Sequence, residues 1–151
     1  MLPREHVVVS ASVGAVTYAV TGSPVVASAS FLSGILIDLD HVVDFIFLSG
    51  EKLTVKNFFS WCLEARWQRI CLVLHSYEIY ALLVAVYFYS GGEIFKGILI
   101  GMGTHLLQDQ IGNIFFSSND YQVSKFFYFM WYRVKVGFRK EFLLKKLSPA
   151  E

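Results

Sequence analysis

The segment Gly97-Ile-Leu-Ile-Gly101-Met-Gly-Thr-His105-Leu-Leu-Gln-Asp109 places the tightest constraint on this chain. Residues four apart on a helix lie one above another, so Gly97, Gly101, His105 and Asp109 form a single stripe. The residues between them are mostly Ile, Leu and Met. The two glycines let a neighbouring helix approach closely. The stripe then ends in an imidazole and a carboxylate that point the same way. On an apolar packing face such a pair needs partners, and the rest of the chain supplies candidates.

Similar stripes recur. In the run from His6 to Val20, His6, Ser10, Gly14 and Thr17 share one side. In the run from Val25 to Ile37, Ala27, Ser30 and Gly34 lead to Asp38 and on to His41. Pro3 and Pro24 suit first helical turns, and Gly22-Ser23 is a reversal. The spacing predicts a four-helix core at about 3–22, 24–48, 70–90 and 93–113, with a reversal at Gly91-Gly92. Between helices two and three, Val55, Phe58, Phe59, Cys62, Leu63 and Trp67 recur at helical spacing. They predict an amphipathic interfacial helix over about 54–69. Ser117 to Asp120 reads as a loop, and about 121–147 reads as a basic, aromatic, membrane-hugging tail.

Composition decides where such helices belong. Of 151 residues 55% are hydrophobic and only 17% charged, and the mean hydropathy is +0.52. A domain this small has much surface for so few charges, so the expected class is all-α with an integral-membrane core in one domain, 1–151. A net charge of +1 gives no reason to expect nucleic acid. Cys62 and Cys71 lack metal or redox spacing and read as small buried hydrophobes. No cleavable signal peptide and no internal repeat is evident.

Charge then orients the expected spans. If the four helices alternate, with Gly22-Ser23 and Gly91-Gly92 on the far side, every basic residue except Lys96 lies on the near side. The positive-inside tendency makes that side cytoplasmic, in an inner membrane, together with the C-terminus. His6, the stretch Asp38 to Asp44, the pair His75 and Glu78, and the pair His105 and Asp109 all fall at that same end.

All four histidines of the chain are in this set, each with a carboxylate within reach. Helical pairs three or four apart offer two ligands from one segment. Acids gathered in an apolar setting without a cation would suffer desolvation and mutual repulsion. One or two divalent ions relieve both costs. Mixed imidazole and carboxylate donors suit zinc, with manganese or iron as alternatives. The candidate donors are His6, the stretch Asp38 to Asp44 with His41, His75 with Glu78, and His105 with Asp109. Glu78 or Asp40 is the expected general base, since one carboxylate must stay free to take water's proton.

The order His6, Gly-Ile-Leu-Ile-Asp38-Leu-Asp40-His41, Leu-His75-Ser and Gly-Met-Gly-Thr-His105-Leu-Leu-Gln-Asp109 resembles the membrane-bound metal-dependent hydrolases, from His6 to about Asn113. The resemblance implies a metal site that draws on His6, Asp38, Asp40, His41, His75, His105 and Asp109. Many members carry a further His-Arg before the His-Ser, where this chain reads Arg69-Ile-Cys-Leu-Val-Leu74. Either one ligand is missing here or Glu78 replaces it. A looser similarity extends to zinc-dependent phospholipase C and single-strand nucleases. The expected activity is metal-assisted hydrolysis of an ester or phosphoester in a lipid-like or amphiphilic substrate, with the bilayer as partner. Two other classes are a protein with a purely structural ion and a metal or proton transporter. Only Glu93 and Lys96 would continue a transport path towards the far face.

Overall fold

A computed structural model describes residues 3–115 and 121–146. The chain is mostly helical: α1 (Pro3–Thr21), α2 (Pro24–Leu36), α3 (Leu39–Leu48), α4 (Val55–Leu63), α5 (Tyr77–Ser90) and α6 (Glu93–Phe115) come first. Strand β1 (Tyr121–Val123), helices α7 (Met130–Lys135) and α8 (Lys140–Leu143) and strand β2 (Leu144–Lys146) follow. Ser117 to Asp120, read above as a loop, lie outside the described residues. Contacts divide the chain into two compact units, 3–37 with 78–115, and 38–77 with 121–146.

In the first unit Ser23 caps α2, its hydroxyl accepting from the Val26 N–H, and Pro24 opens the helix. Gly91 and Gly92, at φ +64° and +98°, make the reversal between α5 and α6, a conformation that L side chains rarely adopt. Helices α1, α2 and α6 pack on one another through the small-residue stripes. His6, Ser10, Gly14 and Thr17 are buried on α1, and Gly97, Gly101 and His105 on α6. A Cβ at Gly97 would sit 2.5 Å from the Ala29 Cβ and from the Val26 carbonyl oxygen. One at Gly101 would collide with the Ser30 carbonyl and the Ser33 hydroxyl. Backbone therefore lies against backbone, as the stripes require.

The second unit is built around Phe45, Trp61, Leu72, Leu143 and the guanidinium-bearing Arg133, all buried. The Trp61 ring meets Phe45 and Trp67 edge-on. Strands β1 and β2 pair antiparallel, with Tyr121 opposite Lys146 and Val123 opposite Leu144.

Among the described residues no helix is long and apolar enough to cross a membrane, so the expected membrane-spanning core is not supported. The reason lies in how the apolar runs are interrupted. The run 24–48 breaks at Ile37-Asp38 into helices of 13 and 10 residues, where a bilayer needs about 20. At the break, the His41 N–H bonds the Asp38 carbonyl in a tight i→i+3 turn. The run 70–90 is helical only from Tyr77, which leaves α5 with 14 residues. Helix α6 has 23 residues, but Lys96, His105 and Asp109 punctuate it. The expected interfacial helix over 54–69 ends at Leu63. There Ala65 takes φ +50° and the Arg66 and Ala65 N–H groups bond the Trp61 and Cys62 carbonyls, a Schellman ending. The tail also departs from expectation, because it folds into the second unit and buries one of its cations, Arg133.

Replacing Gly101 with Ala forces α2 and α6 apart and should cost about 1–3 kcal/mol of stability, read as a lower urea midpoint. An unchanged midpoint would contradict the close packing described here.

Candidate metal centres

Among the described residues two groups of three donors stand out, one inside each unit: His6, His105 and Asp109, and Asp38, His41 and His75. In each group the ligand atoms lie within 4.8 Å of one another. The first group is the more enclosed, with side-chain exposures of 6% for His6, 0% for His105 and 15% for Asp109.

Their geometry has a common plan, in which one carboxylate faces two imidazole Nε2 atoms. Asp109 stands 3.3 Å from His6 Nε2 and 3.5 Å from His105 Nε2. Asp38 stands 3.6 Å from His75 Nε2 and 3.9 Å from His41 Nε2. These separations exceed a normal N–H···O length. Two ligands about 2.05 Å from a tetrahedral zinc lie about 3.3 Å apart, so the donor spacing fits the edges of a coordination polyhedron. The His6 and His105 rings stack at 4.2 Å between centroids, and the His41 and His75 rings meet edge-on at 5.3 Å.

In one histidine of each group the opposite ring nitrogen is held as metal-binding histidines require. His105 Nδ1 lies 2.7 Å from the Gly34 carbonyl oxygen. A carbonyl can only accept, so Nδ1 carries the ring proton and Nε2 keeps its lone pair for an ion. His75 Nδ1 lies 3.2 Å from Asp40 Oδ2, an oxygen that also accepts from the Leu74 and His75 N–H groups. Asp40 is thus placed to orient His75. Of the residues expected at the site, His6, His105 and Asp109 come together, as do Asp38, His41 and His75, while Glu78 belongs to neither group.

His75 stands on a loop, before α5 begins. That loop is held by residues outside the ligand set that the resemblance implies. Asp44 Oδ2 accepts from the Cys71 N–H at 2.7 Å and the Leu72 N–H at 3.2 Å. Burial pushes the Asp44 carboxyl above its usual range, while these two donors and the Arg133 guanidinium pull the other way. Arg133 donates to the Cys71, Leu72 and His75 carbonyls. Its only signal in the sequence is that it is the single cation in the aromatic run 126–134. Both cysteines are half-buried free thiols. Burial, with the Asp38 charge nearby, pushes the Cys62 thiol up to about 12, so it stays protonated at neutral pH.

No family model, curated protein or solved structure matches the chain. The donor sets therefore stand on their own chemistry: buried and half-buried His and Asp groups that could hold a metal ion.

Elemental analysis should find two ions per chain in the wild type and one in His105→Ala and in His75→Ala. Affinity at both centres should fall as the pH is lowered, because ligands must be deprotonated to bind and protons compete for Nε2. Full metal content in both variants would remove the assignment.

Proposed function

We propose that this protein is a metal-dependent hydrolase that cleaves an ester or phosphoester of an amphiphile at a membrane. The observation that carries the reading is the donor count. Each group offers two imidazoles and one carboxylate, the number at which catalytic sites keep a position open for water. A divalent ion held there, zinc by donor chemistry with manganese or iron as alternatives, supplies a Lewis acid and a water of lowered pKa.

The chain's own residues have distinct tasks in this reading. His6, His105 and Asp109 hold one ion, and Asp38, His41 and His75 hold the other. Glu78, half-buried in the first turn of α5 and in the same unit as the first group, takes the proton from the attacking water. Asp40 orients His75, and its Oδ2 is already engaged by three N–H groups.

The amphiphilic substrate is supported by the apolar side chains that the first unit exposes: Val16 and Val20 on α1, Leu32 and Leu36 on α2, Leu82 and Phe88 on α5. A lipid-like neighbour would cover them. On the same reading the membrane is an inner membrane, and the cations Lys125, Lys135 and Lys145 meet its cytoplasmic leaflet.

Glu78→Gln tests the assignment. On a chromogenic phosphodiester and on a short-chain ester dispersed in vesicles, kcat should fall about 10²–10⁴-fold with both ions retained. If ion removal lowers thermal stability while neither substrate is hydrolysed by the loaded wild type, the ions are structural and the hydrolase reading fails.

A further inference from the structure

We propose that Arg133 is a positioning residue: its guanidinium fixes the loop that presents His75, and so sets ion affinity at the Asp38–His41–His75 centre. The inference rests on reading that group as a metal site. Arg133 has no exposed surface, whereas Lys135, Arg139 and Lys145 of the same segment are exposed. A buried guanidinium carries a large desolvation cost unless its donors are used, and here both terminal nitrogens, Nη1 and Nη2, donate to backbone. Nη1 donates to the Cys71 carbonyl and, at 2.7 Å, to the Leu72 carbonyl, while Nη2 donates to the His75 carbonyl at 3.1 Å. The Phe127 ring lies 5.8 Å from the guanidinium carbon.

The same residues are held from their donor side. Asp44 takes the Cys71 and Leu72 N–H groups, and Asp40 takes those of Leu74 and His75. Leu72, gripped at both its N–H and its carbonyl, has φ +40°, a conformation rare for L side chains. Such a conformation persists when its surroundings over-determine it. Three carbonyls on three residues need a planar fork with several fixed donors. A lysine ammonium is a point charge on a flexible stem and cannot span them. Loss of the fork releases the His75 carbonyl and the left-handed turn before it, so Nε2 no longer holds its place opposite Asp38.

The test is titration of the full-length chain with Co²⁺, followed by its d–d absorption. Wild type should bind two equivalents, and His75→Ala and His105→Ala identify which ion is which. In Arg133→Lys the ion lost by His75→Ala should weaken about 10- to 100-fold, with an altered spectrum. The ion lost by His105→Ala should keep its affinity. Arg133→Ala should regain the weakened ion when millimolar guanidinium is added. Wild-type affinity for both ions in Arg133→Lys overturns the proposal, as does equal weakening of both. Should Arg133→Lys not fold, guanidinium that restores the fold of Arg133→Ala without restoring the ion overturns it too. Failure of the underlying metal reading is visible earlier and separately, as a His75→Ala variant that binds Co²⁺ as the wild type does.

Discussion

The hydrogen bond from His105 Nδ1 to the Gly34 carbonyl decides what the first centre can do. A fully buried imidazole without a fixed tautomer could turn either nitrogen towards Asp109. With the proton held on Nδ1, the lone pair of Nε2 must face the carboxylate. Gly34 lies in the last turn of α2, where the helical ladder runs out. Helix α2 stops at Leu36. Because the helix stops there, the Gly34 carbonyl need not share its lone pairs with a ladder N–H, and the break at Ile37-Asp38 that shortens the helix below a bilayer's width favours the bond to His105.

The second centre solves the same problem with charged groups. Asp40 takes the proton side of His75, and Asp44 and Arg133 hold the loop that carries it. Buried charges of both signs need each other there. The Asp44 carboxyl is pushed upward by burial and by Asp40, and the Cys71 and Leu72 N–H groups and Arg133 offset that push. A loop without helical hydrogen bonds has many backbone groups to satisfy. Two carboxylates for its N–H groups and one guanidinium for its carbonyls meet that need from side chains far away in sequence.

This difference explains what was legible in the sequence. The stripes on α1 and α6 were readable because helical periodicity puts small residues and histidines on one face. His6, Ser10, Gly14 and Thr17 are indeed the buried residues at those positions of α1. The donor types were readable for the same reason, since each histidine has a carboxylate a few residues away or across a packing face. Helix ends were not. Apolar runs such as Ile70 to Leu74 look helical by composition, yet their backbone is claimed by Asp44, Asp40 and Arg133. Arg133 itself looked like one cation of a basic tail, because the aromatic run around it suits an interfacial anchor as well as a buried arginine. The helical spacing of His75 and Glu78 assumed one continuous helix, whereas α5 begins at Tyr77 and leaves His75 on the loop before it.

Packing and ligation share one register along α2 and α6. Gly97 lies against Val26 and Ala29, and Gly101 one turn later lies against Ser30 and Ser33. His105, a further turn on, reaches Gly34. The Ser33 hydroxyl also bonds the Ile98 carbonyl across the same seam. On α1, Ser10 fills the space beside Gly34, where a Cβ would stand 2.6 Å from its hydroxyl oxygen. Each rung sets the spacing of the next, so a methyl group added at Gly101 acts on more than the local contact. It would lengthen the hydrogen bond from His105 Nδ1 to the Gly34 carbonyl one turn away, and with it loosen a constraint that keeps Nε2 aimed at Asp109. In this unit the small residues thus shape the candidate metal centre, although none of them offers a ligand.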